Sequence, residues 1–195
     1  MDFSTADLER SIGRLCIGWA HLEDDFFQLL NYLMGRIDGT AFEIMRNELD
    51  IRDALTLSKN IAVSKGGLAA PHIIRLCDFV NGTIRPERNR IIHDPIYVFG
   101  EGGYERVTYA TKIIKQPKPL RIKVTEFTRV APASVDQISE LIKASQAYLS
   151  PIMLCLDEGE DGRDPTAEAI SYLIEGSVAF DDRMARYKET TKSAD

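Results

Sequence analysis

Residues 8–33 read LERSIGRLCIGWAHLEDDFFQLLNYL, and their apolar side chains recur in alternating steps of four and three residues. The positions that share this spacing are Leu8, Ile12, Leu15, Trp19, Leu22, Phe26, Leu29 and Leu33. The spacing predicts one long amphipathic helix with Ser4 or Thr5 as its N-cap. Gly35 and Gly39 should end it. Such strict alternation is typical of a helix that packs in a bundle or along a dimer seam.

The regions on either side of the middle of the chain also show helical periodicity. Residues 40–64 predict two weaker helices that break near Asp50. A longer apolar face predicts a closing helix over 134–156, and a last helix is expected over roughly 166–188 after an acidic loop. Residues 189–195 are polar and should form a flexible tail. We therefore expect a single helical domain over 1–188.

A further helix is expected to begin at Pro71 and to continue past a second proline, Pro86. The ring of Pro86 should clash with the carbonyl of Gly82, but a glycine can flex to relieve that contact. This favours a kinked helix over a helix that stops. The helix should end at His93, because the residue that precedes Pro95 avoids the α region.

Residues 96–129 change from helical to strand-like periodicity. Two runs alternate between apolar and polar residues: Val107, Tyr109, Thr111 and Ile113, and then Leu120, Ile122 and Val124. Gly100 to Gly103 supplies a turn, so this region predicts a small antiparallel sheet of two or three strands. The expected fold is mainly α, an up-and-down helical bundle with a β insert around 96–129.

Composition places the chain among cytoplasmic globular proteins. Hydrophobic residues make up 44% of the chain and charged residues 28%, which is enough apolar surface for a folded core. The opening segment MDFSTADLER has no apolar core, so we expect no signal peptide, and no run is long enough to span a membrane. Cys16, Cys77 and Cys155 are far apart and predict reduced thiols packed in helices.

The charge is distributed unevenly along the chain. Residues 54–154 hold 14 basic and 8 acidic side chains, whereas 1–53 and 155–195 each hold 5 basic and 11 acidic ones. Within 106–129 seven basic side chains accompany one acid, Glu126. Arg121 and Lys123 should point to the same face of their strand and predict binding of an anionic partner. A solvated hairpin face is the open alternative.

Known metal and phosphate motifs are missing from the sequence. It has no HExxH motif and no Cys/His cluster, and the glycines at 100–103 are followed by a strand where a phosphate-binding loop would need a helix. We therefore expect neither a metal nor a cofactor.

The segment PERNRIIHDP, residues 86–95, carries the strongest chemical signal. Asn89 and His93 are i,i+4 neighbours on one helix face, Arg88 lies at the edge of that face, and Arg85 lies on it one turn earlier. A guanidinium can hold a phosphate through two hydrogen bonds, and an imidazole can transfer protons near neutral pH. In RNA the 2′-hydroxyl is a built-in nucleophile, so no metal is required. The alternative is that His93 only stabilises the helix C-terminus while the arginines are solvated.

The run Arg88-Asn89-x-x-x-His93, near the end of the third or fourth helix of a helical domain, resembles the signature of HEPN domains. The first helix, with WAHLEDDFFQLL, and the closing helix extend the resemblance over about residues 4–156, although only the six-residue motif is specific. The resemblance implies a bundle that dimerises by facing motif helices, and a metal-independent endoribonuclease of toxin–antitoxin, phage-defence or RNA-processing systems. Arg88 and His93 would be catalytic, with Asn89 as the polar residue between them.

The resemblance also implies partners and a supporting residue. RNA would be the substrate, a second copy would complete a homodimer, and an antitoxin protein is a further candidate partner. Members often carry a polar residue in the first helix that faces the motif, and Glu23 is the candidate here. Pro86 and the insert at 96–129 depart from a simple member. Two other readings stay open: a non-catalytic helical module that binds a nucleotide or a protein, and a purely structural bundle.

Overall fold

The computed structural model describes residues 4–99, 103–114, 120–159 and 164–192, with backbone alone for 98–99, 108–114, 120–124 and 191–192. The helices are α1 (Thr5–Leu33), α2 (Gly39–Glu48), α3 (Ile51–Lys65), α4 (Ala70–Phe79), α5 (Arg85–His93), α6 (Pro132–Glu158) and α7 (Ala167–Lys192). The strands are β1 (Ile96–Phe99), β2 (Gly103–Ile114) and β3 (Leu120–Arg129). The prediction of a mainly α fold with a small antiparallel insert is confirmed.

The long first helix begins where the sequence predicts. Ser4 caps α1: its hydroxyl accepts a hydrogen bond from the Asp7 backbone at 3.2 Å, and the Asp7 carboxylate accepts one from the Ser4 backbone. Seven of the eight residues in its apolar stripe are buried, with Trp19 at 2% exposure, and Ile12 is half-buried; the helix packs mainly against α6 and α3. The stripe therefore belongs to the core of a bundle and is not available as a dimer seam. Gly35 follows the helix with φ +84°, whereas Gly39 begins α2 instead of ending α1.

Aspartates separate the short helices that follow. The Asp38 carboxylate accepts hydrogen bonds from the first turn of α2, and the Asp50 carboxylate does the same for Asp53 at the start of α3. The predicted break near Asp50 is confirmed, and its cause is this cap.

The chain continues past Pro86 as predicted, through a widened turn. Val80–Ile84 forms a π-helical turn between α4 and α5, in which the backbone N–H of Arg85 donates to the carbonyl of Val80. Such a turn gives the backbone another way to avoid the clash and the missing hydrogen bond that a proline creates inside an α-helix. Asp94 then adopts an extended conformation, with ψ 137°, so α5 ends at His93 as expected.

The three strands form one antiparallel sheet in the order β1-β2-β3. Its base is attached to the bundle at two points. The hydroxyls of Tyr104 in β2 and Thr5 in α1 share a hydrogen bond of 2.6 Å. The Nε of Arg106 in β2 lies 3.8 Å from a carboxylate oxygen of Asp94, the residue that follows α5. The insert is therefore held beside the C-terminal end of α5.

The two closing helices complete the bundle. The inner face of α6 packs against α1 and α4, and α7 packs along α6. Helix α7 runs to Lys192, four residues beyond the expected end, so residues 189–192 of the expected tail are helical and 193–195 lie outside the described residues. Among the described residues, no helix is long and apolar enough to cross a membrane. All three cysteines are free, but Cys16 is exposed, contrary to the expectation that all three thiols are packed.

Candidate functional site

Helix α5 presents the predicted motif on its open face. Ile91 is 6% exposed and marks the side of α5 that faces the core. At 3.6 residues per turn, Asn89 and His93 lie about 160° and 200° around the helix from Ile91. His93 is exposed and Asn89 is half-buried. The amide and the imidazole therefore share the side of the helix that points away from the core.

Arg88 lies between the core side and this open face. Its guanidinium carbon is 5.4 Å from the centre of the buried Trp19 ring, a cation–π contact that joins α5 to α1. One terminal nitrogen donates a hydrogen bond of 3.0 Å to the Asn89 side-chain oxygen. The Nε atom is buried and has no hydrogen-bond partner among the described residues. Trp19 and Asn89 thus fix the direction of the Arg88 side chain.

Arg85 is held one turn earlier by a residue that sequence analysis did not single out. Its Nε donates a hydrogen bond of 2.9 Å to the side-chain oxygen of Asn81, which lies in the π turn. Arg85 is half-buried and falls about 40° from Asn89 around α5. The i,i+4 spacing of Asn81 and Arg85 is the signal that could have found this pair.

His93 is the least constrained member of the motif. Among the described residues it makes no hydrogen bond and no ion pair. Its neighbour Asp94 and the facing Arg106 fix the backbone where α5 meets the sheet. The imidazole can therefore reach an incoming molecule, but no described side chain orients it.

Helix α7 flanks α5 on the side away from Arg88. Arg90 and Glu87 of α5 form an ion pair of 2.8 Å. Burial raises the pKa of the Tyr187 hydroxyl, and the Glu87 carboxylate nearby raises it further. Tyr187 of α7 is therefore near enough to Glu87 for that charge to act on its hydroxyl.

The supporting residue expected in α1 does not join the motif directly. Glu23 is half-buried one turn after Trp19, the residue that Arg88 covers. It makes no hydrogen bond or ion pair with any residue that the structure describes. Its part in the site stays a prediction.

The predicted RNA-binding residues of the insert lie in β3. The backbone of Arg121 pairs with Ile113 of β2, and that of Lys123 pairs with Thr111. Their side chains lie outside the described part of the structure. The backbone register places both positions toward the end of the β2–β3 pair that lies away from the base at Tyr104 and Arg106.

The described residues contain no group of three or more His, Cys, Asp or Glu side chains that could hold a metal ion. Comparison with known proteins found no matching family model, no matching curated protein and no matching solved structure. The resemblance to HEPN domains stays a prediction from the motif.

The geometry defines what the open face of α5 can do. This face carries a proton-transfer group at His93, an amide at Asn89 and a cation at Arg85, and the cation of Arg88 lies at its edge. Cations held near a phosphate can neutralise charge that develops on its oxygens, and an exposed imidazole can donate or accept a proton. This set suits an anionic substrate whose reaction needs proton transfer.

Proposed function

We propose that the chain is a metal-independent endoribonuclease of the HEPN type, which acts in the cytoplasm as a homodimer in a toxin or phage-defence role. The observation that carries the proposal is the placement of Asn89 and His93 on the open face of α5, with Arg88 at the edge of that face and hydrogen-bonded to Asn89. Arg121 and Lys123 would bind the RNA backbone, and a protein antitoxin would be a partner in a toxin system.

The proposed reaction cleaves the RNA chain at a phosphodiester. His93 accepts the proton of the 2′-hydroxyl, whose oxygen attacks the adjacent phosphorus. The bond from phosphorus to the 5′ oxygen breaks, and that oxygen takes up a proton. Arg88 stabilises the negative charge on the phosphate oxygens, while Asn89 orients the phosphate or His93. The products are a 5′-hydroxyl end and a 2′,3′-cyclic phosphate, which can open to a 3′-phosphate.

The decisive experiment incubates purified protein with total RNA, with and without EDTA, and analyses the ends of the products. We expect His93→Ala and Arg88→Ala to abolish cleavage and EDTA to leave wild-type cleavage unchanged. His21→Ala is the matched control, because His21 is an exposed histidine on α1 outside this site. Equal cleavage by wild type and His93→Ala would contradict the proposal, and so would metal-dependent cleavage that survives loss of His93.

One observation favours a second candidate, a non-catalytic helical module that binds a nucleotide or a protein. A catalytic histidine is commonly oriented by another group, and no described residue does this for His93. Binding of RNA or a nucleotide without cleavage or toxicity by the wild type would support this candidate. A partner subunit or substrate that orients His93 would instead restore the catalytic arrangement.

A further inference from the structure

Two arginines lie near the open face of α5, and the structure holds them in different ways. One terminal nitrogen of Arg88 donates a hydrogen bond to Asn89, and its guanidinium lies over Trp19. The Nε of Arg88 is buried. The Nε of Arg85 donates a hydrogen bond to Asn81. The two terminal nitrogens of Arg85 make no hydrogen bond among the described residues. Neither terminal nitrogen of Arg85 is among the buried atoms without a partner. Arg85 therefore offers a complete, solvent-accessible fork.

This fork matches the geometry of a phosphate group. The two terminal nitrogens of a guanidinium can donate parallel hydrogen bonds to two oxygens of one phosphate. The hydrogen bond from the Arg85 Nε to Asn81 leaves the two terminal nitrogens free. It also restricts the rotation of the guanidinium. An arginine that is already oriented loses less side-chain entropy when it binds.

We infer that Arg85 binds a backbone phosphate of the RNA beside the scissile one, and that Asn81 is the positioning residue that aligns it from the π turn. The inference rests on the proposed function and deepens it, since it separates substrate binding at Arg85 from charge stabilisation at Arg88. It also gives the π turn a role, because that turn carries the acceptor for Arg85. Turns of this kind often occur at functional sites.

The test measures RNA affinity without cleavage. A fluorescein-labelled single-stranded RNA is titrated with the His93→Ala protein, and fluorescence anisotropy gives the Kd over a series of salt concentrations. Adding Arg85→Ala should raise the Kd about 10-fold or more. It should also reduce the slope of log affinity against log salt by about 0.7, the value for one lost phosphate contact on a single strand.

Arg90→Ala is the matched control for this loss of charge. Arg90 is on the same helix but lies about 140° around it from Arg85 and is paired with Glu87. Its loss should leave affinity and salt slope nearly unchanged. If the Arg85 and Arg90 variants bind RNA equally well, the role given to Arg85 is wrong.

A double-mutant cycle tests whether Asn81 acts through Arg85. Asn81→Ala alone should raise the Kd about 2- to 10-fold, as expected for one lost hydrogen bond. It should have no further effect once Arg85 is alanine. The same loss in both backgrounds would remove Asn81 from the positioning role. If the alanine variant fails to fold, Asn81→Ser provides the same comparison, because its shorter side chain cannot keep the contact.

Kinetics separate this inference from the proposed function. In the cleaving protein, Arg85→Ala should raise KM with little change in kcat, whereas Arg88→Ala should lower kcat. Cleavage by the wild type with unchanged affinity in Arg85→Ala would overturn the inference alone. No RNA binding by the His93→Ala protein, together with no cleavage by the wild type, would overturn both.

Discussion

The position of the Arg88 side chain depends on α1, a helix that is far away in the sequence but in contact with α5. Its guanidinium lies over Trp19 and donates to Asn89, so both its plane and its direction are fixed. Arg88→Lys keeps the charge but loses the planar fork that makes these contacts. We expect cleavage to fall about 10²–10³-fold, the usual cost of removing one group that stabilises charge in a transition state.

The fold of the Arg88 variants can be checked with the same contact. Trp19 is the only tryptophan of the chain and is 2% exposed, so its fluorescence reports on the core beneath Arg88. A lysine variant with a buried-type emission spectrum and lost cleavage would support a chemical role. Full cleavage by Arg88→Lys would show that charge alone is sufficient.

The surroundings of His72 predict that the free energy of unfolding depends on pH. Its Nδ1 shares a hydrogen bond with the Tyr148 hydroxyl, and burial lowers its pKa; Arg75 lowers it further, while Asp181 raises it. The folded state therefore favours the neutral ring. The stability from this site should be fully present above the unfolded pKa of about 6.5 and be lost as pH falls through the lower folded pKa.

Urea unfolding at pH 7.5 and at successively lower values below 6.5 measures this effect. His72→Gln cannot titrate, so its midpoint should fall less than that of the wild type over the same range. Equal pH dependence in the two proteins would assign the acid sensitivity to other groups.

The sequence predicts part of this residue-scale picture. Helical spacing alone puts Asn89 and His93 on one face, because i,i+4 neighbours always share a face. It does not reveal that Arg88 covers Trp19, since that contact joins residues far apart in the chain. The Asn81–Arg85 pair has the i,i+4 spacing of a helical contact, but the π turn that carries Asn81 was not predicted.

At the scale of elements, the packing of α7 on α6 depends on one glycine. A Cβ added at Gly176 would lie 2.8 Å from the ring of Pro151, which is stiff and buried in α6. Gly176→Ala should therefore destabilise the protein, because an overpacking cost of about 1–3 kcal/mol exceeds the helix-propensity gain of at most about 1 kcal/mol.

Gly13 provides the matched control for this prediction. It lies on the exposed face of α1, and a Cβ added there would meet nothing within 4 Å. Gly13→Ala should stabilise the protein by about 0.5–1 kcal/mol, because an exposed helix position gains propensity without a clash. Urea midpoints that move in opposite directions would support the α6–α7 contact, whereas stabilisation by both substitutions would contradict it.

Element boundaries follow the sequence wherever a local cause sets them. The Ser4 and Asp50 caps and the Pro95 stop are read directly from residue types. The way the chain passes Pro86 is different: the sequence predicts a kink at Gly82, and in the structure Gly82 lies within the π turn Val80–Ile84. A kink and a π turn can both relieve the clash that Pro86 creates. In the π turn the first and last residues, Val80 and Ile84, are fully buried in the core.

At the scale of the whole molecule, the apolar stripe of α1 is used inside the bundle. The HEPN resemblance implies that a homodimer of the proposed kind would instead form on the open face of α5. A two-fold axis beside α5 would bring together the Asn89 and His93 side chains of two protomers, so that one site would contain the polar groups of both. This would also supply groups that could orient His93.

We therefore expect a dimer by light scattering at micromolar concentration, with α5 close to the axis. In a Cys16→Ser background, which removes the exposed native thiol, Asn89→Cys should form an intermolecular disulfide under mild oxidation. Arg90→Cys, on the same helix but on the α7 side, should not, because a disulfide requires Cα atoms within about 7 Å. Cross-linking through position 90 but not 89 would place the axis elsewhere on the bundle. The mass of a single 21.9 kDa chain would contradict the dimer, and each protomer would then have to orient His93 through its substrate alone.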